Sequence, residues 1–273
     1  MIRLSREIRF ALASPTELNQ QLSNGAEKNS WSAWPNTSRI VPQMRMAVVV
    51  EGTPHAETGY LCNVTLIDQA LRQFVNETLI PDVARLSLSE LPDAATVLRQ
   101  AFEFLRSQTF DDAKLSSVSL HPSPYQSFKI ETQKQAMISL THQFEFSAAH
   151  RLHCETMSAE ENLATFGKCN NPAGHGHNYV VEVSVSRETT AEKDAGSISL
   201  GRLSEIVNEN VINVLDHKNL NEDIDAFATL NPSVENICST IFQWLESHIE
   251  ATGCRLSEVK VFETPKTWAS YRG

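Results

Sequence analysis

The chain has 273 residues, 41% hydrophobic and 21% charged, proportions that suit globular domains and exclude a fibrous or disordered chain. Its longest apolar run, Met46–Val50, falls far short of the ~20 residues a membrane helix needs, and the stretch from Met1 to Arg6 lacks the apolar core of a secretory signal. A net charge of −10 argues against a general nucleic-acid or anionic-membrane binder, while leaving room for a local basic pocket that takes a phosphorylated small molecule.

In the first half, Arg45–Val50 alternates as a strand and is followed by Val75-Asn76-Glu77-Thr78-Leu79-Ile80. That segment recurs as Val207-Asn208-Glu209-Asn210-Val211-Ile212. Phe10-Ala11-Leu12-Ala13-Ser14 is echoed by Phe146-Ser147-Ala148-Ala149-His150, and Val118-Ser119-Leu120 by Val259-Lys260-Val261. We read two copies of one module of roughly 130 residues, too long a period for a solenoid. The join falls in the polar stretch Glu131–Gln135, giving domains 1–133 and 134–273.

In the second copy, Leu140–Phe146 reads as a strand, and Tyr179–Val185 alternates as a half-buried strand paired with it. Leu203, Val207, Val211 and Val214 recur at helical spacing. A second helix starts after Asn231-Pro232 with Ser233 as N-cap. Its buried stripe is Ile237, Ile241, Trp244 or Leu245, and Ile249, and Gly253 can end it. Strands follow from about Glu258 to Thr264 and over Thr267–Tyr271. The order β-β-α-α-β-β predicts an α+β layer, an antiparallel sheet with both helices on one face.

Five cysteines, Cys62, Cys154, Cys169, Cys238 and Cys254, form no CxxC pair. An odd number in a chain of this size argues against a disulfide framework and for a reducing cytoplasm. Seven of the nine histidines lie from His142 onward, so metal chemistry is expected in the second copy. His175-Gly176-His177 enters the Tyr179 strand, and residues two apart on a strand share a face. His150 ends the partner strand. Three imidazoles with no fourth protein ligand are the composition of a catalytic zinc site with an open position; on spacing alone, satisfied core or surface histidines compete with that reading. His153 and Cys154 read as loop residues and His142 as an exposed strand position.

The segments Phe146–His153, Phe166-Gly167-Lys168-Cys169 through His175-Gly176-His177-Asn178-Tyr179, Leu215-Asp216-His217-Lys218-Asn219-Leu220 and Val261-Phe262-Glu263-Thr264 closely resemble the 6-pyruvoyl tetrahydropterin synthase family. Four motifs in order, spanning about Met137–Gly273, carry the resemblance. It implies the tunnelling fold, in which such modules join as trimers into a barrel, two barrels stack, and active sites lie between subunits. By match it implies zinc on His150, His175 and His177, a catalytic Cys169, an activating Asp216–His217 pair, and a pterin-anchoring Glu263. Ser233 and Glu235 fall in the family's pterin-side segment, where Val234 replaces the usual threonine; Ser233 is equally a helix cap. Ser197–Leu203 departs from the family pattern. Because adjacent side chains seldom face each other within a regular element, the partner of His217 is expected from another subunit. Arg151, Lys168, Lys218 and Lys266 are candidates for the triphosphate.

The resemblance implies a zinc-dependent lyase that takes 7,8-dihydroneopterin triphosphate to 6-pyruvoyl tetrahydropterin. A 6-carboxytetrahydropterin synthase is the alternative, and a non-catalytic pterin binder or scaffold a second. The five residues between Cys169 and His175 favour the pyruvoyl-forming type. The first copy has lost the chemistry: Ser14 stands for His150, no histidine occurs over Trp34–Met44, Leu79–Val83 replaces the Asp-His motif, and Pro122 stands opposite Glu263. It is expected to be silent and to complete a barrel stack, so that three chains form a pseudo-hexamer.

Overall fold

A computed structural model of the chain describes residues 1–12, 40–83, 86, 92–134, 137–188 and 199–273. Ser14, residues 34–39, Gln135 and the Ser197-Ile198 pair, all invoked above, lie outside the described residues. The chain forms two compact units, Met1–Leu140 with Glu188–Ser197, and Thr141–Arg187 with Ile198–Gly273.

In the first unit, antiparallel strands β1 (Ile2–Ala11), β2 (Gln43–Gly52), β3 (Lys114–Ser123) and β4 (Gln126–Glu131) pair in chain order. Between β2 and β3 come helices α1 (Val64–Phe74) and α2 (Ala94–Arg106). Each starts at a side-chain cap: Asn63 accepts from the Thr65 N–H and Asp93 from the Thr96 N–H, satisfying donors that the first turn leaves open. Residues Ile67, Leu71 and Phe74 of α1, and Leu98, Ala101 and Leu105 of α2, are buried at helical spacing.

The second unit repeats that order with insertions. Strand β5 (Met137–His150) neighbours β6 (His175–Glu188), which pairs antiparallel with β8 (Arg255–Thr264), and β8 with β9 (Thr267–Tyr271). Helix α3 (Ala159–Phe166) lies in the β5–β6 connection, opened by a capping box between Ser158 and Glu161. Helix α4 (Leu200–Val207), the two-residue strand β7 (Lys218–Asn219), the single turn α5 (Leu220–Asp223) and the long helix α6 (Val234–Glu250) follow. Helix α6 packs on β8 and β9. Tyr179, Val181 and Val183 of β6 face Val259 and Val261 of β8 and Ile237, Ile241 and Leu245 of α6, all fully buried. Each such aliphatic side chain contributes ~1.5–3 kcal/mol by leaving water.

One expected position moves. Leu203, Val207 and Val211 are buried, but Val214 is 36% exposed, and Leu215 is buried in its place. Residues Asn208–Ile212 form a π-turn. That extra residue in the turn advances the helical phase by one position. The first unit carries a π-turn at Val75–Leu79, on the matching segment. On α6 the choice between Trp244 and Leu245 falls to Leu245. His142 is half-buried rather than exposed, its ring edge-on to Phe144 at 4.8 Å.

The loop after β5 is held by one buried amide. Asn162 on α3 accepts from the Cys154 N–H at 2.8 Å and turns its Nδ2 to the carbonyls of Cys154 (2.8 Å), Met157 and Ser158 (both 3.1 Å). It is 0% exposed. Asn162→Ala strands these backbone groups and is expected to cost about 2–3 kcal/mol, read as a lowered thermal unfolding midpoint; an unchanged midpoint contradicts this role.

Candidate metal centre and active site

The site is built where β5 ends and β6 begins. The turn into β6 places Gly174 against β5, with φ +69°, and a Cβ there would meet the His150 carbonyl oxygen at 3.1 Å. Only glycine tolerates both conditions. Gly176 faces the Ala148 carbonyl, where a Cβ would sit at 3.5 Å. With the backbones this close, His175 and His177 meet His150 from the neighbouring strand. The ring centroids lie 4.6 Å (His150–His175), 5.2 Å (His150–His177) and 4.8 Å (His175–His177) apart. One ligand nitrogen from each lies within 4.8 Å of the others.

The ring nitrogens suit a metal. His150 Nδ1 lies 2.7 Å from the Pro232 carbonyl, which has only lone pairs, so Nδ1 carries the proton and Nε2 is free to ligate. His150 Nε2 lies 3.2 Å from His175 Nε2; a tetrahedral ion with bonds of ~2.0–2.1 Å needs ligands about 3.3 Å apart. Among the described residues His177 Nε2 is buried without a hydrogen-bond partner, an orphan that an ion would satisfy. Burial holds the His150 and His177 rings below the ordinary imidazole pKa, which keeps them neutral and ligand-ready near pH 7. The three residues therefore fit a metal ion of the nitrogen-preferring kind, with no thiolate in the set.

Glu263, on the inward face of β8, brings Oε1 to 3.4 Å from His150 Nε2 and 3.5 Å from His177 Nε2. Cys169 sits in the turn Gly167–Asn170, fixed by its carbonyl accepting from the Leu152 N–H at 2.9 Å. Burial, and then the Glu263 charge, push its thiol upward. Tyr179, two residues beyond His177 on the same strand face, has its hydroxyl buried without a hydrogen-bond partner among the described residues. Sequence reasoning passed over Tyr179, although its place four residues after His175 on an alternating strand was the signal. It also passed over the Pro232 carbonyl, which no side-chain pattern announces.

His217 lines an open cleft together with Ser147, Ala149, Gly176, His177, Asn178 and Lys218. Contrary to the expectation for neighbouring residues, the Asp216 and His217 side chains meet: His217 Nδ1 is 2.8 Å from Asp216 Oδ2. The reason is local. Asp216 ends the helix in extended backbone, and His217 adopts φ +58°, turning its ring back. Ser147 clamps both, its N–H donating to Asp216 Oδ1 at 2.8 Å and its carbonyl accepting from the His217 N–H. The Ser147 N–H, then His217, hold the Asp216 carboxyl below its usual range. The His217 side chain is 83% exposed, presented outward.

The remaining candidates divide. Ser233 caps α6, accepting from the Asn236 N–H at 3.4 Å, and Glu235 is exposed on its first turn. Lys218 lines the His217 cleft, while Lys168 and Lys266 are exposed. Arg151 Nε donates to the Asn170 carbonyl at 3.2 Å. His153 and Cys154 lie in the loop after β5.

The family model of 6-pyruvoyl tetrahydropterin synthase matches residues 139–273. The 6-pyruvoyl tetrahydrobiopterin synthase of Drosophila melanogaster is 40% identical over 140 residues, 51% of this chain and 82% of that protein. The chain belongs to the 6-pyruvoyl tetrahydropterin synthase family. The Homo sapiens 6-pyruvoyl tetrahydrobiopterin synthase is 38% identical over 141 residues, 51% of this chain and 94% of that protein. The solved 6-pyruvoyl tetrahydropterin synthase of Caenorhabditis elegans is 37% identical, covers 50% of this chain and 96% of its own, and superposes with a TM-score of 0.46. Membership in this synthase family rests on the second half of the chain, the half that holds the histidine triad.

The left-handed backbone at His217 costs ~1–3 kcal/mol for a residue with a Cβ, and its side chain is nearly all in water. His217→Gly is therefore expected to leave the unfolding midpoint unchanged or slightly raised while removing the imidazole. A drop of several degrees would show that the Asp216 contact, not the outward presentation of the ring, is what the fold uses.

Proposed function

We propose that the second module, residues 134–273, is a zinc-dependent 6-pyruvoyl tetrahydropterin synthase. It takes 7,8-dihydroneopterin triphosphate and eliminates triphosphate, as a carbon–oxygen lyase. The observation that carries this reading is the convergence of three imidazoles beside Glu263, with Cys169 within its electrostatic reach, in a member of this family. The zinc ion, held by His150, His175 and His177, supplies polarisation of the substrate's side-chain oxygens. Glu263 accepts hydrogen bonds from the amino group and ring N–H of the pterin, a pairing that matches a carboxylate's two oxygens. Cys169 removes the proton from the side-chain carbon, and the C–O bond to triphosphate breaks in the same elimination.

The Asp216–His217 pair, with the His217 side chain presented to solvent, suits a site completed by a second copy. Asp216 accepts from Nδ1–H and so leaves Nε2 as the ring's working atom. Lys218, beside His217 in the cleft, is the best placed of the four cations for the triphosphate. We propose further that residues 1–133 are a degenerate copy of the same tunnelling-fold module, silent because Pro122 takes the place of Glu263 and Ile40 and Pro42 those of the HGH histidines. Three chains would then build a pseudo-hexamer with three sites. A cytoplasmic setting agrees with five free cysteines.

The competing activity, 6-carboxytetrahydropterin formation, uses the same residues and differs in cleaving the side chain. Incubation with 7,8-dihydroneopterin triphosphate and mass analysis of the product separates them. The account expects 6-pyruvoyl tetrahydropterin and free triphosphate; released acetaldehyde would identify the carboxy-forming enzyme, and pterin binding without triphosphate release a binder. Cys169→Ala is expected to lower turnover by at least ~10²-fold with the metal content unchanged.

A further inference from the structure

Strand β5 ends at His150, and its parallel partner β7 is two residues long, pairing Ala148 with Lys218 and Ala149 with Asn219. The contact between the two segments runs on past both ends of that short ladder, carried by side chains. At one end Asp216 Oδ1 accepts from the Ser147 N–H at 2.8 Å. At the other end Asn221, on the single turn α5, meets both backbone groups of Arg151. Its Oδ1 accepts from the Arg151 N–H at 2.7 Å, and its Nδ2 donates to the Arg151 carbonyl at 3.0 Å.

A carboxamide carries a donor and an acceptor, as a peptide group does. Asn221 therefore acts as a strand partner for a residue whose own strand has ended, and whose backbone groups need partners from elsewhere. Among the described residues, both of its side-chain hydrogen bonds to this segment go to Arg151 and none to an imidazole.

The Arg151 N–H belongs to the same planar peptide as the His150 carbonyl. That carbonyl faces Gly174, where a Cβ would come within 3.1 Å. The His150–Arg151 peptide is thus gripped from both sides, by Asn221 on its N–H and by the turn into β6 against its oxygen. A fixed peptide plane sets the backbone from which the His150 side chain leaves. The ring has a separate anchor, the Pro232 carbonyl 2.7 Å from Nδ1. Together the two holds decide where His150 Nε2 stands, and metal–ligand distances tolerate displacements of only ~0.2 Å.

Resting on the zinc reading proposed above, we infer that Asn221 is a positioning residue of the metal centre. By clamping the Arg151 backbone it fixes the His150 peptide, and so the place of His150 Nε2 relative to His175 and His177. The same segment holds Asp216 and His217 at its other end, so one short strip of chain sets both the metal ligand and the outward imidazole.

The test is the zinc affinity of the full-length protein, measured by competition with a chromogenic chelator well below the unfolding midpoint of the metal-free form. Asn221→Ala removes both bonds to Arg151. Asn162→Ala, which loosens the loop after β5 without touching Arg151, controls for destabilisation alone. In Asn221→Ala the Kd for zinc is expected to rise about tenfold, the low end of the loss seen when a group supporting a metal ligand is removed. In Asn162→Ala the midpoint is expected to fall and the Kd to stay at the wild-type value. A wild-type Kd in Asn221→Ala would overturn the inference, and so would an equal rise in Asn162→Ala, which would make the effect one of general loosening. Should Asn221→Ala fail to fold, Asn221→Leu, which fills the same space without polar atoms, decides by the same criterion. A wild-type protein that binds no zinc would end the zinc reading itself, an outcome distinct from a zinc-binding wild type whose Asn221 variant matches it.

Discussion

The site depends on the close approach of two backbones at Gly174 and His150. Strand β5 ends at His150, and the turn into β6 passes within van der Waals reach of its carbonyl, a passage open to glycine in left-handed conformation. Everything chemical follows from that spacing. It brings the histidines of one strand across from the histidine of the next, with Gly176 between them in van der Waals reach of the Ala148 carbonyl. Burial then keeps the His150 and His177 rings neutral, and the Pro232 carbonyl at the entrance to α6 decides which nitrogen of His150 is free. The helix contributes through its cap and the residue before it, more than through any side chain aimed at the triad.

The site has two sides with different characters. Around the triad, groups are inward, half-buried or buried, and mutually close. Around Asp216 and His217 they are outward and tied down by Ser147 on β5. In the function proposed above, such a division suits a catalytic surface shared between copies, with the metal ligands, anchor and base on one edge and the His217 imidazole offered to a neighbour on another. The left-handed His217 is the strained element that makes the outward edge possible, and strain of this kind persists where the surrounding hydrogen bonds over-determine it. The polar clamp of Ser147 supplies them on both sides of the dyad.

Much of this was legible in the residues. Alternation in Tyr179–Val185 and the two-residue spacing of His175 and His177 foretold a strand face with converging imidazoles, because strand periodicity is set by backbone geometry alone. Ser233 was readable as a cap and proves to be one. The unreadable parts have a common cause, which is that they depend on a single residue changing the local frame. The π-turn at Asn208–Ile212 moves Leu215 inward and Val214 outward, and no apolar pattern distinguishes an α-turn from a π-turn in advance. The left-handed φ of His217 joins two neighbours that a regular element would separate. Tyr179 reads as core from its pattern; only the three-dimensional surroundings reveal that its oxygen meets no hydrogen-bond partner among the described residues.

The central claim is that His150, His175 and His177 hold one ion together. X-ray absorption at the zinc edge on the zinc-loaded protein tests it most directly. The account predicts one zinc per chain with about three imidazole nitrogens at ~2.0–2.1 Å. A first shell made chiefly of sulfur, or an oxygen-only shell unchanged when His177 is replaced by alanine, would contradict it.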